Sequence, residues 1–199
     1  LRMLIATGIY PPDIGGPAIY SHMIAEEFNA RGMEVTVITY GEKSPPKADP
    51  PLAEKLKIKK ISRKLPKGLR HILYFLAIWW RGRKADVIYA QQPVSEGLPA
   101  MLAAKLLRKK FVLKIVGDYA WEQGVQRFGV SDLLDDFLQK KYGVRVEMLR
   151  AIESWVARHA ARVIVPSEYL ANVVARWGVK KECIAVIANA VEIPADLSP

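Results

Sequence analysis

The sequence predicts an α/β domain in which helices flank a mainly parallel sheet. Three observations carry this. Strand-like runs alternate with helix-like runs along the chain, 51% of the 199 residues are hydrophobic, enough for one substantial core, and no repeat of fixed period replaces the alternation.

Leu4 to Thr7 is the first strand. Pro17 to Ala30 follows as a helix, with proline in its first turn, where no amide hydrogen is needed, and Gly32 just past its end. Glu34 to Tyr40, EVTVITY, is rich in β-branched residues and makes a second strand. The segment GEKSPPKADPPLAE holds four prolines and reads as an exposed, extended loop. It leads to KLKIKKI, whose alternation fits a half-exposed edge strand. A helix from Leu69 to about Arg83, the strand DVIYA, a helix from about Ser95 to Leu107 and the strand FVLKIV continue the pattern. Residues 117–143 break it with glycine, aromatic and acidic residues before a short helix. Ordering such a stretch costs entropy, so it reads as a functional loop. A long helix from about Val144 to Ala160, the strand RVIVP, a helix capped by Ser167 and ending at Gly178, and the strand CIAVI complete the domain.

Composition excludes several classes. The lone Cys183 cannot form an internal disulfide, and with three separate histidines it offers no zinc cluster, so no metal site is expected. The longest strongly apolar run, Ile72 to Trp80, is too short to cross a bilayer. With no leader or sorting motif in view, a reducing, cytoplasmic setting is the expectation. The net charge of +10 is concentrated: Lys55 to Lys84 holds eleven Lys/Arg and no Asp/Glu, leaving the rest of the chain near neutrality.

Ligands of open parallel sheets bind beyond the carboxyl ends of the strands, which directs attention to the loops after Thr7, Ala90, Val116, Pro166 and Ile187. The first reads GIYPPDIGGPAIY. Gly15 and Gly16 stand at the mouth of a helix, where free N–H groups and the helix dipole favour an anion and absent Cβ atoms admit a phosphate. The same pair also serves simply to turn the chain sharply. Neither GxGxxG nor GxxxxGK[ST] is matched, so dehydrogenase and P-loop readings lose their support.

The stretch GIYPPDIGGPAIY resembles the N-terminal loop of retaining family 4 glycosyltransferases of the GT-B fold, where the first strand runs into Y-x-P-x-x-G-G. VIVPSEYL is similar to that family's penultimate strand and helix start, with Ser167 at the serine position. VIANAVEIP is similar to its hinge V-I-x-N-G-V-D, with Ala190 and Glu192 in place of glycine and aspartate. The resemblance runs in register over almost the whole chain. It implies a Rossmann-like, acceptor-side domain over residues 1–188 and a hinge over 189–199, leading toward a donor-binding C-terminal domain that this sequence lacks. The implied protein transfers a sugar from a nucleotide-sugar cosubstrate to a glycan or lipid-linked acceptor, needs no cofactor, and is inactive as this fragment alone.

From the resemblance, Gly15 and Gly16 face the donor diphosphate and Asn189 takes the hinge asparagine position. Asp13 is placed to bind sugar or acceptor hydroxyls, or to accept within its own turn. Many family members carry a histidine near the start of the loop after the central strand. Here that stretch is KIVGDYAWE, and Asp118 is the nearest polar candidate for the catalytic position, either supporting developing positive charge or capping the loop. Glu122, four residues on, is a further sugar- or acceptor-binding candidate. Tyr119 and Trp121 either stack on a sugar or pin the loop to the core. His22, His71 and His159 are isolated, and no nucleophile is assigned, because the resemblance implies front-face attack with the leaving phosphate assisting.

LRHILYFLAIWWRGRK is apolar at Leu69, Ile72, Leu73, Leu76, Trp79 and Trp80, with Tyr74, Phe75 and Ile78 broadening the stripe. Two readings stand: a helix packed on the sheet with a basic rim, or a peripheral patch for the inner membrane face, where Trp beside Lys/Arg suits anionic headgroups. No nucleic-acid motif accompanies the basic segment, so nucleic acid is not an expected partner. A non-catalytic α/β binding module using the same cleft and basic face is the alternative to an enzyme.

Overall fold

The computed structural model describes residues 1–42 and 56–189. Seven strands, β1 (Arg2–Thr7), β2 (Glu34–Tyr40), β3 (Lys57–Ile61), β4 (Val87–Gln91), β5 (Lys110–Lys114), β6 (Arg162–Val165) and β7 (Ile184–Val186), form one sheet. Their order is β3-β2-β1-β4-β5-β6-β7, with every neighbouring pair parallel. The α-helices among the described residues are α1 (Gly16–Ala30), α2 (Lys67–Gly82), α3 (Leu98–Leu107), α4 (Tyr119–Arg127), α5 (Leu134–Phe137), α6 (Val144–Arg158) and α7 (Glu168–Arg176). Residues 43–54 of the proline-rich segment lie outside the described residues. No helix among those described is long and apolar enough to cross a membrane.

Central strands are buried on both faces, which is why they read as continuous apolar runs. In β1, Leu4 and Ala6 enter one core while Ile5 enters the other, and all three are fully buried. The larger core lies under α2, α3, α6 and α7. The smaller lies under α1, whose Ala18, Ser21 and Ala25 are buried at helical spacing and let it sit close to the sheet. β3 is the half-exposed edge, with Lys57 ion-paired to Glu34 of β2.

The chain fills the sheet to one side through β2 and β3 and then returns to the other side of β1 as β4. The reversal opens a crevice between the carboxyl ends of β1 and β4. Tyr74 of α2 braces that edge. It is fully buried, and its hydroxyl lies 3.1 Å from the carbonyl oxygens of both Thr7 and Ile38, tying α2 to the ends of β1 and β2. Burial pushes its phenol well above the ordinary range, so it stays a donor.

Two expectations are corrected. The helix expected from Ser95 begins at Leu98, because Pro93–Gly97 forms a wider π turn in which a Cβ on Gly97 would stand 2.6 Å from the Gln92 carbonyl oxygen. Residues 117–143 are not an open loop before one short helix. They fold as α4 and α5 around a small core of Ala120, Val130 and Phe137, joined by Val146 of α6. Trp121 pins this unit, packing on that core and donating from Nε1 to the Asp132 carbonyl at 2.9 Å.

Candidate functional site

β1 delivers the chain to the crevice through a loop held by its own hydrogen bonds. Thr7 Oγ1 donates to the Ile9 carbonyl at 3.0 Å and accepts from Ser21 Oγ at 3.0 Å, while Asp13 N–H donates to the Tyr10 carbonyl at 3.1 Å. The Pro11–Pro12 peptide is cis. Gly15 has φ of +153°, a conformation that side chains disfavour, and its carbonyl accepts the first N–H groups of α1 from Ala18 and Ile19. No side chain caps α1. Outside its chain neighbours and its own helix, nothing among the described residues lies within 4 Å of the place a Gly16 Cβ would occupy; Pro17 has no N–H and those of Ala18 and Ile19 are bonded to Gly15, which leaves the Gly16 N–H as the donor at this end of α1.

That space is a cavity of about 710 Å³, lined by Gly16, Tyr20 and His22 from α1, by Gln91 and Lys114 from β4 and β5, and by Asn189. His22 stands between Tyr10, whose hydroxyl is 3.1 Å from Nδ1, and Glu26, 3.3 Å from Nε2. Burial, helped by the Glu26 charge, pushes the Tyr10 phenol up to about 12. Lys114 is 2% exposed and donates to Asn189 Oδ1 at 2.7 Å. Val116 also lines this cavity.

A second cavity, of about 330 Å³, shares Pro17, Gln91 and Gln92 with the first as lining residues. Arg63 reaches its rim and is fixed by Asp13 at 2.6 Å and by the carbonyls of Gly8 and Tyr40 at 3.2 Å each. His71 Nδ1 lies 2.9 Å from the Tyr40 hydroxyl, and burial lowers the histidine's pKa. Behind them Glu96, 5% exposed, accepts the Ser95 hydroxyl at 2.6 Å, and burial pushes its carboxyl up to about 7. A Cβ on Gly8 would overlap the Glu96 carboxylate, so any larger residue there requires Glu96 to move.

The sequence-selected residues therefore divide. Gly16 and Asn189 line the main cavity, and Gly15 shapes its mouth. Asp13 is taken up by Arg63. Tyr119 lines a separate cavity between α2 and α3, beside Arg70, His71 and Phe75. Asp118 is 1% exposed and caps α4, with Oδ1 accepting Trp121 N–H at 2.8 Å. It lies against Glu153, itself fully buried, whose Oε2 accepts Ala120 N–H at 3.2 Å. Burial raises both carboxyls, and each leaves one oxygen without an ordinary donor, an arrangement satisfied by one proton held between them. Glu122 folds beneath Gly117, where a Cβ would collide with it, and burial and the Asp118 charge raise its pKa.

Sequence reasoning passed over Lys114, Gln91, Gln92 and Glu96. One signal for Lys114 was present: in KFVLK it shares the inward register with Val112, an odd place for a charge in a central strand. Gln92 carries a φ of 71°, rare outside glycine and not visible in the sequence.

The seven-stranded parallel sheet, its switch point and the crevice above it define the Rossmann-like half of a GT-B glycosyltransferase fold. Residues 15–190 match the glycosyl transferase 4-like domain, and the chain belongs to that family. Among solved structures it is similar to Anabaena HepE, solved with UDP and glucose (TM-score 0.63, 14% identity, covering 96% of this chain and 45% of that one). It is similar to the UDP-GlcNAc 2-epimerase of Methanocaldococcus jannaschii (0.61, 16%, 95% and 46%). It also resembles the sucrose-phosphate synthase of Thermosynechococcus elongatus (0.60, 16%, 94% and 47%). The chain thus spans less than half the length of each of these structures. No curated protein matches it.

Proposed function

We propose that this chain is the acceptor-side half of a retaining glycosyltransferase, moving a sugar from a nucleotide-sugar donor to a glycan or lipid-linked acceptor, and that the half alone is inactive. The observation that carries this is the main cavity, where the uncapped start of α1 at Gly16 faces Lys114 and Gln91 across the carboxyl edge of the sheet. The Gly16 N–H and the positive end of α1 suit a diphosphate, and the donors on β4 and β5 suit an oxygen-rich ligand. HepE, which shares the fold, was solved with UDP and glucose, which supports a nucleotide-sugar donor.

In this reading the chain positions groups and stabilises charge rather than supplying a nucleophile. Gly15 and Gly16 face the donor diphosphate. Asp118 acts as a positioning residue: as the cap of α4 beside Glu153, it sets the turn that leaves β5. Asp13 orients Arg63 toward the second cavity, which together with the space beside Tyr119 receives the acceptor. Sugar transfer by the full-length protein, supplied with a panel of nucleotide sugars, tests the proposal, with the anomeric configuration of the product read by NMR. Retained configuration is expected. Inversion, or no turnover with any donor, refutes it.

A peripheral membrane position is part of the proposal. Tyr74 and Ile78 seat α2 on the sheet, whereas Leu69, Ile72, Leu76 and Trp80 form a solvent-facing stripe, each more than 40% exposed. Arg83 stacks over Trp79 at 3.9 Å and Trp80 at 4.6 Å, placing a cation beside the aromatic edge. Flotation with anionic vesicles is expected to fall when Leu76 and Trp80 are both replaced by serine. Unchanged flotation refutes this position.

A further inference from the structure

We propose that Lys114 and Gln91 form an oxyanion subsite on the floor of the main cavity, which takes a phosphate or carboxylate group of the ligand that enters. The two residues are registered partners at the carboxyl ends of neighbouring strands, so their side chains leave the same face of the sheet side by side. Lys114 is 2% exposed, and none of the ion pairs among the described residues includes it. Among the described residues its Nζ meets the neutral Asn189 Oδ1 at 2.7 Å and the face of Tyr20, 3.4 Å from the ring centroid. An ammonium has three hydrogens to donate, and a buried cation without a counter-charge is costly.

Gln91 supplies the second, independent observation. It is 6% exposed, and its Nε2 has no acceptor among the described residues. The cavity both residues line also receives the uncapped amino end of α1. The one carboxylate lining it among the described residues, Glu26, is already engaged by His22. Among the described residues, the floor therefore presents a cation without a counter-charge and an amide without an acceptor. A neutral sugar hydroxyl satisfies the amide but not the ammonium, whereas an oxyanion satisfies both.

The inference deepens the proposed donor site, but its test does not depend on sugar transfer. Calorimetric titration of the full-length protein with inorganic pyrophosphate, and separately with glucuronate, distinguishes the two sources of the oxyanion. Wild type is expected to bind at least one. Lys114→Met weakens that binding by about tenfold, the loss of one charge-assisted contact, and Gln91→Leu weakens it severalfold. Preference for pyrophosphate assigns the subsite to the donor phosphates, and preference for glucuronate assigns it to an acidic sugar. Thermal melting confirms that each variant is folded. If Lys114→Met does not fold, Gln91→Leu decides. Wild type binding neither probe, or undiminished binding by a folded variant, overturns the subsite. Oxyanion binding that survives in a protein with no transfer activity upholds the subsite and overturns the glycosyltransferase reading alone.

Discussion

Replacing Glu96 by glutamine removes a titrating group from the wall of the second cavity while keeping its shape and an oxygen for the Ser95 hydroxyl. Burial raises the Glu96 carboxyl from 4.5 to about 7, so the folded chain holds a proton that the unfolded chain has released between those values. The stabilisation is complete below pH 4.5, declines as pH rises toward about 7 and is gone above it. A rise of that size corresponds to about 3 kcal/mol. Urea unfolding of wild type and Glu96→Gln from pH 4.5 to 8 reads it directly. The difference in unfolding free energy should move by about 3 kcal/mol across the window, favouring the glutamine protein at high pH. Asp118, Glu122, Glu153 and His71 also titrate with shifted values, but they do so in both proteins and cancel. Parallel curves, differing by a constant, would refute the reasoning.

Three further outcomes follow from packing. Gly15→Ala should cost about 1–3 kcal/mol, because φ there is +153°, whereas Gly16→Ala should leave stability within about 0.5 kcal/mol, because its Cβ meets nothing; denaturant melts separate the two. Tyr74→Phe should cost about 1–2 kcal/mol in urea by stripping a hydroxyl shared between the Thr7 and Ile38 carbonyls. Ser167→Ala should cost about 1 kcal/mol in the same assay, since Ser167 Oγ accepts Leu170 N–H at the start of α7.

The parallel sheet was legible because strands buried on both faces favour apolar and β-branched runs, continuous in β1 and β4 and rich in valine, isoleucine and threonine in β2. The edge position of β3 was legible for the converse reason, because three of its five residues are lysines. Gly15, Pro17 and Ser167 announce themselves by local rules of backbone conformation and capping. The second cavity was not legible, because it is assembled from Gly8, Tyr40, Arg63, His71 and Glu96, residues of five chain segments that only the tertiary fold brings together. Asp118 shows the same limit from the other side. Its acidic, glycine-flanked setting resembles a reactive loop in sequence, and only the packing of α6, which brings Glu153 against it, makes it a buried cap.

Gln91 and Gln92 line both the main cavity and the Arg63–Glu96 cavity. Two ligands seated there cannot be thermodynamically independent if either one moves that strand end. Whatever free energy the first spends or gains in shifting the amides is returned to the second, and the exchange is reciprocal. Gln92, held at a φ of 71° with its N–H bonded to the Lys114 carbonyl at 3.0 Å, is the residue where that exchange would be felt first. A substitution at Gln92 should therefore appear as a change in how strongly each site senses the other, even where the affinity of either site measured alone is preserved.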